Sequence, residues 1–158
     1  MSFRSVVARV VAGVTSTGGR RRGGGRTAPA PGPGDVRIAY TPDDDGQPDP
    51  GEIVWTWVPY EDDPRQGKDR PVVVIGSAGE RLAVVPVSSR GPDGPPDAAA
   101  WVSIGSGRWD GEGRTSYANV DRVLRVAADD VRREGATLDR APFDAVVAGV
   151  RRHHPDIR

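Results

Sequence analysis

Cysteine is absent from the 158-residue sequence, which excludes disulfide bonds and thiolate metal sites and fits a reducing compartment. Histidine occurs only twice, at His153 and His154, so a metal site built from several histidines is not expected. No stretch contains the ~18–20 uninterrupted apolar residues that a transmembrane helix needs. We therefore expect a cytoplasmic protein with no metal, no other cofactor and no membrane association.

Apolar periodicity is missing from the amino-terminal part of the chain. Residues 17–34, TGGRRRGGGRTAPAPGPG, are dense in glycine and proline, which is typical of a flexible linker. Residues 40–51, YTPDDDGQPDPG, have the composition of turns. We therefore predict a disordered basic arm and linker over residues 1–49 and one folded domain over residues 50–158.

A formal net charge of zero conceals an asymmetry. Residues 1–34 carry six arginines and no acid, whereas the remaining residues carry 16 bases and 22 acids, a net charge of −6. General binding to nucleic acid needs clustered cations, so any polyanion site on the folded domain must be local. The arginines of the arm could contact RNA or DNA without sequence preference.

The folded domain contains mostly strand patterns. EIVWTWVPY, residues 52–60, alternates with period two and puts Ile53, Trp55 and Trp57 on one face, which predicts core positions. One segment, APFDAVVAGVRRHH over 141–154, has the pattern of an amphipathic helix. Five or six short strands and one carboxy-terminal helix predict a mainly β fold, a small, highly curved barrel with the helix packed on it. The other strand segments are RPVVVIGSA (70–78), RLAVVPVSS (81–89), WVSIGSG (101–107) and TSYANVDRVLRV (115–126).

In this order and spacing, GEIVW, QGKDRPVVVIG, VVPVSS and ANVDRVLRV resemble the MazF/PemK/Kid toxins of toxin–antitoxin systems. The resemblance covers residues 51–126 well and the helix loosely, and residues 1–50 have no counterpart. It implies an SH3-like barrel, a homodimer, and metal-independent cleavage of single-stranded RNA by attack of the neighbouring 2′-OH. It also implies a cognate antitoxin protein that blocks the RNA groove.

The resemblance assigns catalytic roles to Arg70, Ser88 and Asp121. A guanidinium held before Pro71 suits phosphate oxygens, and its high pKa favours electrostatic stabilisation over proton donation. The Ser88 hydroxyl replaces the family's usual threonine, and Asp121 aligns with a carboxylate that serves as base in some members. Where some members carry an arginine, this chain has Asn119, which cannot carry charge. Each residue also has a structural alternative: a solvated strand end for Arg70, a strand cap for Ser88, and a salt bridge to Arg122 or Arg125 for Asp121.

Substrate binding is predicted for a further set of polar and aromatic side chains. Trp109, in the glycine-rich segment SGRWDGEGR, is the predicted platform for stacking a base. The other predicted substrate-binding residues are Arg65, Gln66, Lys68, Ser89, Arg90 and Asn119.

Two other functions stay open on the sequence alone. Asn119 and the acidic domain also fit a non-catalytic PemK-like barrel that binds a protein partner or nucleic acid, since fold does not decide activity. A structural adaptor tethered to nucleic acid by its basic arm is the third possibility.

Overall fold

The computed structural model describes residues 35–94 and 98–158, and the predicted disordered arm over residues 1–34 lies outside this part of the chain. Within it, no helix is long and apolar enough to cross a membrane. A 3-10 turn over Ala98–Ala100 precedes β5. The strands and the helix, in chain order, are β1 (Val36–Ile38), β2 (Glu52–Pro59), β3 (Gly67–Ala78), β4 (Arg81–Ser88), β5 (Trp101–Gly105), β6 (Ser116–Asn119), β7 (Leu124–Val126), β8 (Val131–Thr137) and α1 (Arg140–His153).

The strands form one antiparallel sheet in the order β5-β6-β4-β3-β2-β8, with β1 paired to β3 and β7 paired to β4. The central strand β3 turns into β4 at Gly79, whose φ of 63° suits glycine. Register shifts interrupt the β2–β8, β3–β4 and β5–β6 pairings, and such bulges bend a sheet. This confirms the predicted fold class, a mainly β protein with a carboxy-terminal helix, although the described strands do not close the barrel between β5 and β8.

The alternation of side chains along the central strands builds two hydrophobic clusters. Ile53, Val73 and Val85 lie side by side across β2, β3 and β4 and belong to the larger cluster, which α1 covers. Val54 and Val72 point to the opposite face and belong to the smaller cluster. All five side chains are fully buried, and each contributes about 1.5–3 kcal/mol of hydrophobic stabilisation as an upper estimate.

Helix α1 forms where the apolar spacing predicts it, with Phe143, Val146, Val147 and Val150 buried. At Gly149 the helix approaches the sheet so closely that an added Cβ would lie 3.0 Å from the Val120 side chain. The helix therefore packs closely against one face of β5 and β6.

The sheet also includes residues before the predicted domain start at residue 50. Val36 is 4% exposed, and β1 lies against β3 because Gly76 carries no side chain to collide with the Arg37 carbonyl. The Tyr40 hydroxyl donates to the Leu138 carbonyl at 2.9 Å, and its ring lies 4.9 Å from that of Phe143. The folded region therefore extends back at least to residue 35, which corrects the predicted linker over residues 35–49.

Trp57 does not occupy the predicted core position. Its side chain is 41% exposed, because it lies near the end of β2, opposite the exposed Asp69, beyond the area that the helix covers. The period-two pattern identified the face correctly but not where along the strand the core ends.

Candidate functional site

Arg70 lies on β3, two residues before the buried Val72, so its side chain emerges on the face opposite α1. Val72 pairs with Pro86 of β4, and two residues further along each strand the same register brings Arg70 beside Ser88. Arg70 is half-buried, and its guanidinium has no hydrogen-bond or ion-pair partner among the side chains that the structure describes, which are those of residues 35–94, 98–132 and 136–158. A partly desolvated guanidinium without a carboxylate is suited to an incoming anion.

Ser88 is the last residue of β4. Its Oγ accepts a hydrogen bond of 3.1 Å from the backbone N–H of Arg90. This bond fixes the hydroxyl oxygen and leaves the hydroxyl proton available for donation to a ligand. Arg70 and Ser88 thus place a cationic fork and a neutral donor side by side, an arrangement that we call the Arg70–Ser88 corner.

Three cavities meet at the Arg70–Ser88 corner. The Asn119 cavity, of about 320 Å³, is lined by Asn119, Trp101, Arg122 and the loop after β2. The Trp109 cavity, of about 170 Å³, lies towards the larger core cluster. The Arg90 cavity, of about 750 Å³, is wide and polar. Because Arg70 and Ser88 line all three, the corner is the junction of one branched groove.

Seven of the predicted site residues line this groove: Arg70, Ser88, Lys68, Ser89, Arg90, Asn119 and Trp109. Arg65 and Gln66 line none of the three cavities and are exposed, and both side chains donate to the Asp63 carboxylate. The structure therefore does not bring these two residues to the corner.

Asp121 also lines none of the three cavities. Strand β6 ends at Asn119, the buried Val120 follows, and Asp121 lies exposed in the turn beyond. Its backbone carbonyl is 3.0 Å from the Nε2 of His154, so this turn contacts the end of α1. Within one chain, the predicted carboxylate is separated from the predicted arginine and hydroxyl.

Trp109 is 6% exposed, and its indole N–H donates to the Ser116 hydroxyl at 3.0 Å. A ring buried in the larger core cluster offers no free face for a base, so the predicted stacking role is corrected to a packing role. Trp101, which the sequence reasoning missed, lines both the Asn119 cavity and the Arg90 cavity beside the corner. The β5–β6 register pairs Trp101 with Asn119.

Several charged groups in the groove are already engaged. Arg114 forms a 3.0 Å ion pair with Asp110. This hydrogen bond holds the pKa of the Asp110 carboxyl below its ordinary value and raises the pKa of Arg114, so both groups are charged at neutral pH. Arg122 donates to the Pro59 carbonyl at 2.6 Å and lies 3.8 Å from Glu61, so it positions the loop after β2.

The cations that remain available around the corner are Arg70, Lys68 and Arg90, which line the Arg90 cavity together. In the described part of the chain none of the three makes a salt bridge. Clustered positive charge on a domain with a net negative charge is suited to a polyanion at this place on the surface.

Comparison with known proteins relates this chain to a toxin family. A family model described as PemK-like, MazF-like toxin of type II toxin–antitoxin system matches residues 49–154. The crystal structure of MazF (form I) from Deinococcus radiodurans superposes with a TM-score of 0.52 at 20% identity, covering 67% of this chain and 94% of that one. This similarity shows a shared fold. No curated protein matches the sequence significantly.

Two mycobacterial structures are also similar. An endoribonuclease in complex with its cognate antitoxin, from a mycobacterial species, has a TM-score of 0.48 and 12% identity, covering 65% of this chain and 90% of its own. The Mycobacterium tuberculosis toxin MazF-mt6 has a TM-score of 0.46 and 14% identity, and the alignment covers 65% of this chain and 94% of the toxin.

Proposed function

Because the chain belongs to the PemK-like, MazF-like toxin family of type II toxin–antitoxin systems, we propose that it is a sequence-selective endoribonuclease that cleaves single-stranded RNA. The observation that carries this proposal is the Arg70–Ser88 corner, where a half-buried guanidinium with no partner among the described side chains lies beside a hydroxyl with a proton to donate. The corner lies in a groove open to a polymer rather than in a closed pocket.

The proposed reaction uses the substrate's own 2′-OH as the nucleophile, without a metal. As the 2′ oxygen bonds to phosphorus, the bond to the 5′ oxygen breaks, and the products are a 2′,3′-cyclic phosphate and a 5′-hydroxyl. The leaving 5′ oxygen takes a proton from solvent. The enzyme's tasks are to hold the phosphodiester for in-line attack, to accept the 2′-OH proton and to stabilise the negative charge on the phosphoryl oxygens. Arg70 has the planar donor geometry for the last task.

We expect Ser88→Ala to lower kcat/KM for RNA cleavage about 10-fold, because one hydrogen bond to a charged phosphoryl oxygen is lost. Ser88→Thr keeps the hydroxyl and should retain most of the activity. Both rates are measured on a fluorescently labelled oligoribonucleotide. Equal losses in the two variants would mean that the hydroxyl does not act on the substrate.

The mechanism requires a group that accepts the proton of the 2′-OH. A base role for Asp121 stays a prediction from resemblance, and within one chain the carboxylates that line the Asn119 cavity beside the corner are Glu61 and Asp62. Glu61 is paired with Arg122, whereas Asp62 makes no ion pair within the described residues. We therefore propose Asp62 as the base.

Asp62→Asn is expected to reduce kcat by about 10²-fold, the usual contribution of a general base. Asp121→Asn should cleave at close to the wild-type rate. The two variants differ from the wild type by the same loss of one negative charge, so each controls for the electrostatic effect of the other. The opposite order of rates would assign the base to Asp121, supplied by a second protomer.

The family also suggests partners for this chain. We propose that it is a homodimer and that a cognate antitoxin protein covers the groove, as an antitoxin is bound to the mycobacterial relative. A single-stranded RNA substrate places the proposed action in the cytoplasm.

The test is incubation of the purified protein with a mixed-sequence single-stranded RNA in EDTA, followed by mass spectrometry of the fragment ends. We expect fragments with 2′,3′-cyclic phosphate and 5′-hydroxyl ends. Intact RNA at high protein concentration would contradict the proposal and favour the non-catalytic barrel that binds a protein or nucleic acid.

A further inference from the structure

Trp101 and Asn119 are direct cross-strand partners at the start of β5 and the end of β6. Asn119 follows the buried Ala118, which pairs with Val87, so Asn119 and its partner Trp101 point to the face that carries Ser88. Both line the Asn119 cavity together with Arg70 and Ser88. We propose that Trp101 and Asn119 form a subsite for one unpaired nucleobase, next to the phosphate held at the corner; this rests on the proposed RNA cleavage.

Trp101 has the properties that Trp109 lacks. It is half-buried and stands between two cavities, the Asn119 cavity and the Arg90 cavity. Its indole N–H makes no hydrogen bond within the described residues, whereas that of Trp109 is bonded to Ser116. A half-buried indole that lines an open cavity is suited to stacking on a base of any identity.

Asn119 supplies the polar part of the subsite. Its side-chain oxygen is shielded from solvent and has no hydrogen-bond partner in the described part of the chain. An unpaired buried amide oxygen is costly, and a turn of the carboxamide presents either its acceptor or its donor to the cavity. A side chain with one acceptor and two donors matches the edge of a base, where donors and acceptors alternate.

The faces of β5 and β6 that point away from the subsite are held in place by packing against α1. Val120 donates its N–H to the Ala100 carbonyl at 2.8 Å, and Val102 and Val120 pack against Gly149 of α1. The stacking residue and the amide are therefore held on a rigid pair of strands, which a specific binding site requires. The volume of about 320 Å³ is within the range of pockets for small ligands, ~300–1,000 Å³.

A base is favoured over a protein side chain as the occupant because of the neighbouring charge. The cavity opens onto Arg70, and a base in RNA brings its own phosphate to that position. The subsite and the corner together match one nucleotide, the base in the cavity and the phosphate at the guanidinium.

The experiment compares an RNA of known cleavage position with versions that carry an abasic nucleotide on either side of that position. Wild type, Trp101→Ala and Trp101→Phe are tested, with Trp57→Ala as the matched control because Trp57 is exposed and lines none of the three cavities. Both kcat/KM and the affinity for a non-cleavable 2′-deoxy analogue are measured, the latter by fluorescence anisotropy.

We expect one abasic substitution to lower wild-type kcat/KM and affinity about 10–100-fold, the usual contribution of stacking one base. Trp101→Ala should show the same loss on intact RNA and no further loss on the abasic RNA. Trp101→Phe should recover most of the loss, and Trp57→Ala should behave as wild type. Asn119→Ala should change which base is preferred at that position.

The subsite is overturned if wild type and Trp101→Ala lose the same factor on the abasic RNA, or if Trp101→Ala binds and cleaves as wild type while losing affinity for the antitoxin. The affinity measurement distinguishes this from failure of the proposed function. If the protein binds the analogue with the expected dependence on Trp101 but cleaves no RNA, the proposed subsite is supported and the proposed nuclease activity is contradicted. If the protein neither binds nor cleaves any RNA, both the proposed subsite and the proposed nuclease activity are contradicted.

Discussion

Arg70→Ala should lower the rate of RNA cleavage by about 10²–10³-fold, the usual loss when one preorganised donor to a transition-state charge is removed. Arg70 is the one arginine that is half-buried, unpaired within the described residues, and shared by all three cavities. In the proposed reaction its guanidinium is in place before the phosphoryl group gains charge, so no reorganisation is needed. The rate is measured under single-turnover conditions, which separate the chemical step from product release.

The matched control is Arg81→Ala, an exposed arginine at the opposite end of β4 from Ser88. It removes the same charge from the protein and should leave the cleavage rate unchanged. Arg70→Lys should recover only a small part of the activity, because an ammonium cannot bind two oxygens in one plane. If Arg70→Ala and Arg81→Ala lower the cleavage rate equally, Arg70 acts only through the net charge of the protein and not by contact with the phosphate.

Deletion of residues 1–49 should destabilise the domain by on the order of 4 kcal/mol, whereas deletion of residues 1–34 should leave the free energy of unfolding unchanged. The longer deletion removes Val36, which is buried, and Tyr40, which is hydrogen-bonded to Leu138 and packed on Phe143. It also leaves the β3 edge at Gly76 without its partner strand.

Thermal unfolding followed by circular dichroism measures both deletions. At this size, the longer deletion should lower Tm by more than ~10 °C. The shorter deletion removes little apolar surface, so it serves as the control for loss of the arm itself. An equally large fall in Tm for the shorter deletion would mean that the arm packs on the domain.

Strong local patterns made much of the fold predictable. The valine-rich strands β3 and β4, the alternating β2 and the amphipathic α1 each combine intrinsic propensity with burial. The two missed strands, β1 and β8, lack such a pattern: β1 has three residues, and β8 reads VRREGAT. Both lie at sheet edges and are defined by the strand that they pair with, which no local window contains.

In the candidate site, too, some features follow from local sequence patterns and others depend on how the strands pair. The proximity of Arg70 and Ser88 could be predicted, because the conspicuous valine-rich patterns that adjoin them belong to two strands that pair directly. The sequence favoured Trp109 as the stacking residue because its neighbours are rich in glycine and arginine, whereas in the structure its ring is buried. Burial of Trp109 and the pairing of Trp101 with Asn119 depend on tertiary register, and so does the separation of Asp121 from the corner.

Whether Arg70 binds the phosphodiester that is cleaved is tested by a double-mutant cycle on binding. A 2′-deoxy analogue of the substrate carries either a normal phosphate or a neutral methylphosphonate at the cleavage position. We expect wild type to lose about 10-fold or more in affinity for the methylphosphonate, while Arg70→Ala binds both analogues equally weakly. If the methylphosphonate lowers the affinity of wild type and of Arg70→Ala by the same factor, Arg70 does not contact that phosphate, and its proposed role in binding the cleaved phosphodiester is wrong.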